Sequence, residues 1–285
     1  MKILGIRRDV YYSPNLAGND AAIFMAVMDE LRVKGHEIAC INENEMVDMD
    51  FDSYGRVVTM ARDVELLAML KERNVERQTP FFNTVSGILT CSDKGAVANI
   101  MQEIDIPQPA FIPSQNRKLP ISEKGVGNIP FPLWLKKCDS CTEYSYDTAF
   151  CQTKKELECA VRKMKDADYQ HWMVQAHQMG DLVKFYGVEG TNFFHWQYAS
   201  RGHSKFELEK INGKEKGYPF EATHIKEYAD RLAKRLNVPI YGGDVIIDEN
   251  GGLWFIDFND FPSFSSCREE AAKAIANRVL CEGQN

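Results

Sequence analysis

Residues 241–262, YGGDVIIDENGGLWFIDFNDFP, constrain this chain more than any other segment. Two runs rich in β-branched and aromatic residues flank Asn250-Gly251, the strongest short-range hairpin signal, and that dipeptide favours a two-residue type I′ turn. A turn centred there sets Asp244 directly opposite Asp257. Strand side chains alternate faces, so Asn259 shares the face of Asp257. Like charges opposed across strands, with Cβ atoms about 5 Å apart, destabilise each other unless a proton or a cation joins them. Two carboxylates and an amide oxygen suit Mg²⁺, a hard ion that takes one or two carboxylates and completes its shell with waters and phosphates. The alternative is that these acids are solvated, as Asp248 and Glu249 beside the turn are expected to be.

A magnesium site of this type needs a polyphosphate, and hence cations elsewhere in the chain. Neither GxxxxGK[ST] nor GxGxxG occurs, so neither phosphate-loop design applies. Lys136 instead follows Leu133-Trp134-Leu135 in an apolar strand, where Lys136 or Lys137 should point inward. Lys94 opens a helix, where the dipole disfavours a cation unless an anionic ligand offsets it; a solvated lysine is the alternative. Lys184 interrupts Leu182-Val183-Lys184-Phe185-Tyr186. Arg201, His203 and Lys205 form a basic cluster, read either as solvated charge or as a clamp on a carboxylate or phosphate. Ser263, Ser265 and Ser266 precede a helix whose amino-terminal amides suit an anion, although capping by one of them explains their presence equally well.

Elsewhere the chain alternates strand and helix. Residues 2–6, 36–41 and 56–60 read as strands. Ile23, Phe24, Val27, Met28 and Leu31 recur at helical spacing, with Asn19 or Asp20 as cap and Gly35 as stop; Asp63–Arg73 is a second helix. Alternating βαβ predicts a parallel sheet with its crevice at the carboxyl ends of the strands. The loop there holds Arg7, Arg8, Tyr11 and Tyr12, either solvated or, at Arg7 or Arg8, catching an anion. Ser92 is placed as the cap of a helix burying Val97, Ile100, Met101 and Ile104. Residues 107–132, with six prolines, read as a connector. Strands near 131–137, 148–152, 171–177, 182–188 and 193–199 follow. Two helices join them, one opened by a Thr153-x-x-Glu156 capping box and one carrying Ile225, Ala229, Leu232 and Leu236. The fold class is thus α/β followed by α+β.

Composition removes several functions. The chain has 285 residues and a net charge of −7, without the positive footprint of a nucleic-acid binder. Sixteen Phe, 11 Tyr and four Trp exclude disorder. No apolar run approaches the ~18 residues of a membrane span, and Lys2 to Arg8 leaves no room for a secretory core, so a cytoplasmic protein with no membrane partner is expected. The eight cysteines show one CxxC, Cys138 to Cys141, with no second pair to complete a zinc site. Reduced thiols are expected, with a redox or metal role for Cys138 and Cys141 as the alternative. His171, His177 and His195 sit in apolar strands at no metal-ligand spacing and read as packed or hydrogen-bonded.

In order, Asp93-Lys94, Pro132-x-x-x-Lys136, Val174-Gln175-Ala176-His177, Asp181-Leu-Val-Lys184, Gly242-Gly243-Asp244 and Ile256-Asp257-Phe258-Asn259 resemble the ATP-grasp superfamily. The ending FNDFPSF, residues 258–264, is similar to that of inositol polyphosphate kinases and of ligases related to the ribosomal-protein glutamate ligase and glutathione synthetase. The resemblance covers nearly the whole chain. It implies a pre-ATP-grasp domain at 1–90 and an ATP-grasp domain at 91–285, with a lid subdomain at about 130–178.

It also implies ATP and Mg²⁺ as cofactors. Lys94 and Lys136 would contact the phosphates, the backbone of Gln175, Ala176 and His177 would hold adenine, and Asp181 would lie near the ribose. Lys184 would neutralise phosphate or substrate, and Asp244, Asp257 and Asn259 would hold the metal. Lys136, Lys184 and Arg201 are the catalytic candidates. The implied activity is a carboxylate–amine ligase acting through an acyl phosphate on a small-molecule or peptide carboxylate. A small-molecule kinase is the alternative suggested by FNDFP, and a nucleotide-binding protein with little catalysis is a third. The third reading comes from residues 138–146, which hold no glycine where the family has a glycine-rich loop whose backbone can approach phosphate closely.

Overall fold

The computed structural model describes residues 1–13, 17–138, 146–201 and 208–281. In chain order the elements are β1 (Lys2–Arg7), α1 (Ala17–Val33), β2 (Glu37–Asn42), β3 (Arg56–Thr59), α2 (Val64–Glu72), β4 (Phe81–Phe82), α3 (Val85–Cys91) and α4 (Lys94–Glu103). Next come β5 (Phe111–Pro113), β6 (Gly125–Val126), β7 (Ile129–Pro130), β8 (Leu133–Lys137), β9 (Thr148–Cys151), α5 (Lys154–Asp166) and β10 (Trp172–Ala176). The chain ends with β11 (Asp181–Val188), β12 (Phe194–Tyr198), α6 (Ala222–Leu236), β13 (Ile240–Ile247), β14 (Leu253–Asp260) and α7 (Arg268–Leu280). Among the described residues no helix is long and apolar enough to cross a membrane.

Three four-stranded sheets result. The first, β2-β1-β3-β4, is parallel. The second, β5-β10-β8-β9, and the third, β12-β11-β13-β14, are antiparallel. The expected α/β followed by α+β is therefore what the chain forms.

Each sheet buries the face that its apolar residues mark. Ile3 and Val58 pack with Ile23, Phe24, Val27 and Leu31 of α1, and this core continues into Ala271, Ile275 and Val279 of α7. The two ends of the chain thus share one core. Leu133, Leu135, Trp172 and Val174 pack on Leu157, Val161 and Met164 of α5. Val183, Phe185, Val245, Phe255 and Phe258 pack on Ile225, Ala229, Leu232 and Leu236 of α6. In the second and third sheets the opposite faces remain, and these carry the polar residues described below.

Several local expectations are corrected. Helix α1 begins at Ala17, so Asp20 is inside its first turn rather than at its cap, where it pairs with Arg8 and accepts from the Ser13 hydroxyl. Asp93, not Ser92, caps α4, accepting from the Gly95 and Ala96 amides; Ser92 instead closes α3, whose helix the sequence reading missed. The connector contains β5, β6 and β7, strands of two or three residues, too short for periodicity to reveal. Cys267 stands at the cap position of α7, and none of the preceding serines supplies a side-chain cap. Cys40, Cys91, Cys138, Cys151, Cys159, Cys267 and Cys281 are free thiols.

Candidate functional site

The β13–β14 hairpin does not close as Asn250-Gly251 predicts. The Asp248 carboxylate accepts from the amides of Asn250 at 2.9 Å and Gly252 at 2.8 Å, and from the Trp254 indole at 2.8 Å. That Asx-type capture favours a type I geometry over a I′ turn, which would need a positive φ at Asn250. The loop is therefore three residues, Glu249 to Gly251, with Gly251 at φ 80° and Ile247 paired to Leu253. The shift of one residue would misalign the acids. It is cancelled by a β-bulge at Ile256: Val245 pairs with Phe255, yet Asp244 pairs with Asp257. Asp244 and Asp257 are opposed as expected, through two departures that offset each other. A break in strand alternation, with Phe255 and Phe258 both buried, is the sequence trace of this bulge.

The register across the third sheet lines up Gln197 on β12, Lys184 on β11, Asp244 on β13 and Asp257 on β14 in one transverse row. All four lie on the face away from α6. Lys184 Nζ is 3.3 Å from Asp244 Oδ1, and Lys94 Nζ, reaching in from the start of α4, is 3.0 Å from Asp257 Oδ1. Asn259 Nδ2 donates to Asp257 Oδ2 at 2.8 Å. Burial would raise the Asp257 carboxyl, but Lys94, Lys136 and the Asn259 bond outweigh it and hold that group well below the usual carboxylate range.

The second sheet supplies the other wall. Lys136 and Lys137 are both buried, but on opposite faces of β8. Lys137 lies 4.3 Å from the centre of the Tyr169 ring, away from the acids. Lys136 crosses to the third sheet: its ammonium donates to Gln175 Oε1 at 2.7 Å and to the carbonyl of the bulged Ile256 at 3.0 Å. Burial pushes the Lys136 ammonium down to about 8, against the opposing pull of Asp257 and Asp244. On the same face as Lys136, Trp134, Phe150 and His177 form an aromatic surface. The Trp134–Phe150 and Phe150–His177 ring centres are each 5.0 Å apart, and Trp134 Nε1 donates to His177 Nδ1 at 3.1 Å. Burial lowers the His177 pKa, consistent with a neutral ring that accepts at Nδ1.

Not every expected residue reaches this cleft. Asp181 is 3% exposed, and its carboxylate accepts from the backbone amides of Lys216, Gly217 and Tyr218 at 2.7 to 2.9 Å, so both of its oxygens are engaged in bracing that loop. The Ala176 amide donates to Ala110 O within the sheet. Gln175 enters the site by its side chain, and Trp134 and Phe150, with rings inclined 50° to each other, supply an apolar surface that strand periodicity does not mark. Arg8, weighed as an anion trap, donates instead to Met60 O, Phe261 O and Asp20. Arg7 donates to the Asn42 side chain. The Arg201 side chain, His203, Lys205, Cys141 and most of the glycine-free loop lie outside the described residues.

Two carboxylates and a carboxamide oxygen on one face are a hard, oxygen-only donor set. Among the described residues no group of three or more His, Cys, Asp or Glu gathers to hold a metal alone. The set thus fits an ion that draws its remaining ligands from water or phosphate, as Mg²⁺ does.

No protein-family profile and no curated protein matches the sequence. Solved structures do match in shape. A RimK domain ATP-grasp protein from Sphaerobacter thermophilus aligns over 98% of this chain and 100% of its own, with TM-score 0.66 and 15% identity. The D-alanine–D-alanine ligase of Bacillus anthracis, complexed with ATP, aligns over 98% and 96% with TM-score 0.68 and 13% identity. D-alanyl-alanine synthetase A of Vibrio cholerae covers 98% of each chain with TM-score 0.68 and 10% identity. Likeness at this level over full length establishes architecture: the chain has the ATP-grasp fold, with its two antiparallel sheets meeting at Lys136 and Ile256.

Proposed function

We propose that this chain is an ATP- and Mg²⁺-dependent ligase that activates a small-molecule or peptide carboxylate as an acyl phosphate and joins it to an amine. The observation that carries the reading is the cross-sheet cluster, in which Lys136 spans to β14 beside the opposed Asp244 and Asp257, each with a lysine of its own. The names of the structural relatives, D-alanine–D-alanine ligases among them, support the same chemistry.

The Trp134–Phe150–His177 surface offers an apolar face for a purine, and Lys94, Lys136 and Lys184 would meet the phosphates. A carboxylate oxygen of the substrate attacks the γ-phosphorus, and the bond to ADP breaks with its electron pair leaving on ADP. The amine nitrogen then attacks the acyl carbon, the bond to phosphate breaks, and the amine gives up a proton. The protein contributes position and charge rather than a covalent bond: its lysines offset negative charge developing on the transferred group. Mg²⁺ held by Asp244, Asp257 and Asn259 would add neutralisation at the phosphates. Arg201 is the candidate clamp for the substrate carboxylate.

Incubation with ATP, Mg²⁺ and a panel of carboxylates and amines tests this. Release of ADP and phosphate with a condensed amide is expected. A stable phosphorylated product would favour the kinase suggested by FNDFPSF, and nucleotide binding without turnover would leave a binding protein.

A further inference from the structure

Of the three lysines that the described residues bring to the cleft, two are paired with carboxylates and one is held by uncharged oxygens. Lys94 and Lys184 rest on Asp257 and Asp244. Lys136 is held by two uncharged oxygens, the Gln175 carboxamide and the Ile256 carbonyl. The Gln175 carboxamide is itself 2% exposed, in the otherwise apolar stretch Trp172-Met173-Val174 of β10. A buried carboxamide is costly unless it is used, and a carboxylate at that position would cancel the lysine charge. An ammonium has three donors in a fixed tetrahedral arrangement, so two acceptors on different sheets settle the direction of the third.

We propose that Gln175 is a positioning residue for Lys136, pinning its ammonium against the bulged Ile256 carbonyl so that its third N–H is presented to a nucleotide phosphate. The proposal rests on the nucleotide reading above and adds to it the residue that aims the phosphate contact. The bulge then has two duties: it aligns Asp244 with Asp257, and it frees a ladder carbonyl for Lys136.

The test is a double-mutant cycle read by calorimetric ADP binding, with Q175M, K136M and the double variant beside the unaltered chain. Q175M removes the acceptor at similar volume and is expected to weaken ADP about tenfold, the scale of one hydrogen bond to a charged group. In the K136M background, Q175M should cost nothing further, because Gln175 acts through Lys136. Q175N, one methylene too short to reach, should match Q175M and replaces it if that variant fails to fold. Q175E keeps an acceptor but adds a charge, and is expected to weaken ADP at least as much; filling a space alone would not produce that pattern. Equal weakening by Q175M in both backgrounds, or none in either, overturns the proposal while ADP binding by the unaltered chain preserves the nucleotide reading. Failure of the unaltered chain to bind ADP overturns both.

Discussion

Two regions of this molecule concentrate buried or half-buried charge and hold it in opposite ways. At the carboxyl ends of the parallel strands, Glu43 accepts from the backbone amides of Asp9, Arg62 and Asp63. Arg8 donates to two backbone carbonyls besides Asp20. Arg62 lies 2.6 Å from Asp260 and donates to its carbonyl at 3.0 Å, with the two side chains 8% and 0% exposed. In the cleft, by contrast, Lys94–Asp257 and Lys184–Asp244 join side chain to side chain, each group about a fifth to a quarter exposed. The first set is tied in part to main chain, and its paired side chains are only 0 to 10% exposed. The second can trade partners, carboxylates to a cation and lysines to phosphate, with no movement of the backbone. Among these carboxylate–cation pairs, the way the partners are held therefore separates a fastener from a binding group, although both look alike as an ion pair.

The comparison can be broken at either end. The largest effect is expected from Asp260→Ala, which removes the carboxylate buried against Arg62: about 3–5 kcal/mol lost in denaturant unfolding. A loss under about 1 kcal/mol would mean that the pair is not a fastener. Lys94→Met should weaken ATP binding about tenfold, the worth of one charge-assisted contact, while unfolding changes by less than about 1 kcal/mol. If stability falls as far as in Asp260→Ala, the two regions do not differ in kind.

A subtler test uses pH. The folded Lys136 ammonium loses its proton near 8, below an unfolded lysine at about 10.4. Between those values the unfolded chain binds more protons, so this group makes stability rise with pH, while a neutral Lys136 holds phosphate less well. Nucleotide affinity should therefore decline above about pH 8 without a parallel loss of stability from this residue. Asp257 works in the other direction: its folded pKa is depressed, so its contribution is present above the unfolded value of about 4 and disappears as pH falls below it. Acid unfolding of Asp257→Asn should accordingly depend less steeply on pH.

Much of this architecture is legible in local pattern. The apolar faces of α1, α5 and α6 and the strands they cover follow from periodicity, because each face is set by residues within one element. Lys136, Lys184, Asp244, Asp257 and Asn259 are legible as polar residues interrupting apolar strands. Long-range partners are not. Asp181 reads like a ligand group until Lys216 to Tyr218 arrive at its oxygens, and Arg8 reads like an anion trap until Phe261 does. Gln175 left the same trace as Lys136, one polar residue in a buried strand, but its meaning depends on the lysine beside it. The hairpin register is the sharpest case: the turn and the bulge each shift it by one residue, and only their sum returns Asp244 to Asp257.

The most direct test of the site is the binding of a non-hydrolysable ATP analogue, with and without Mg²⁺, to the unaltered chain and to Asp257→Asn. Mg²⁺ is expected to tighten binding to the unaltered chain, and Asp257→Asn to lose about tenfold to a hundredfold of that gain while remaining folded. An unchanged Mg²⁺ dependence in Asp257→Asn would contradict that expectation.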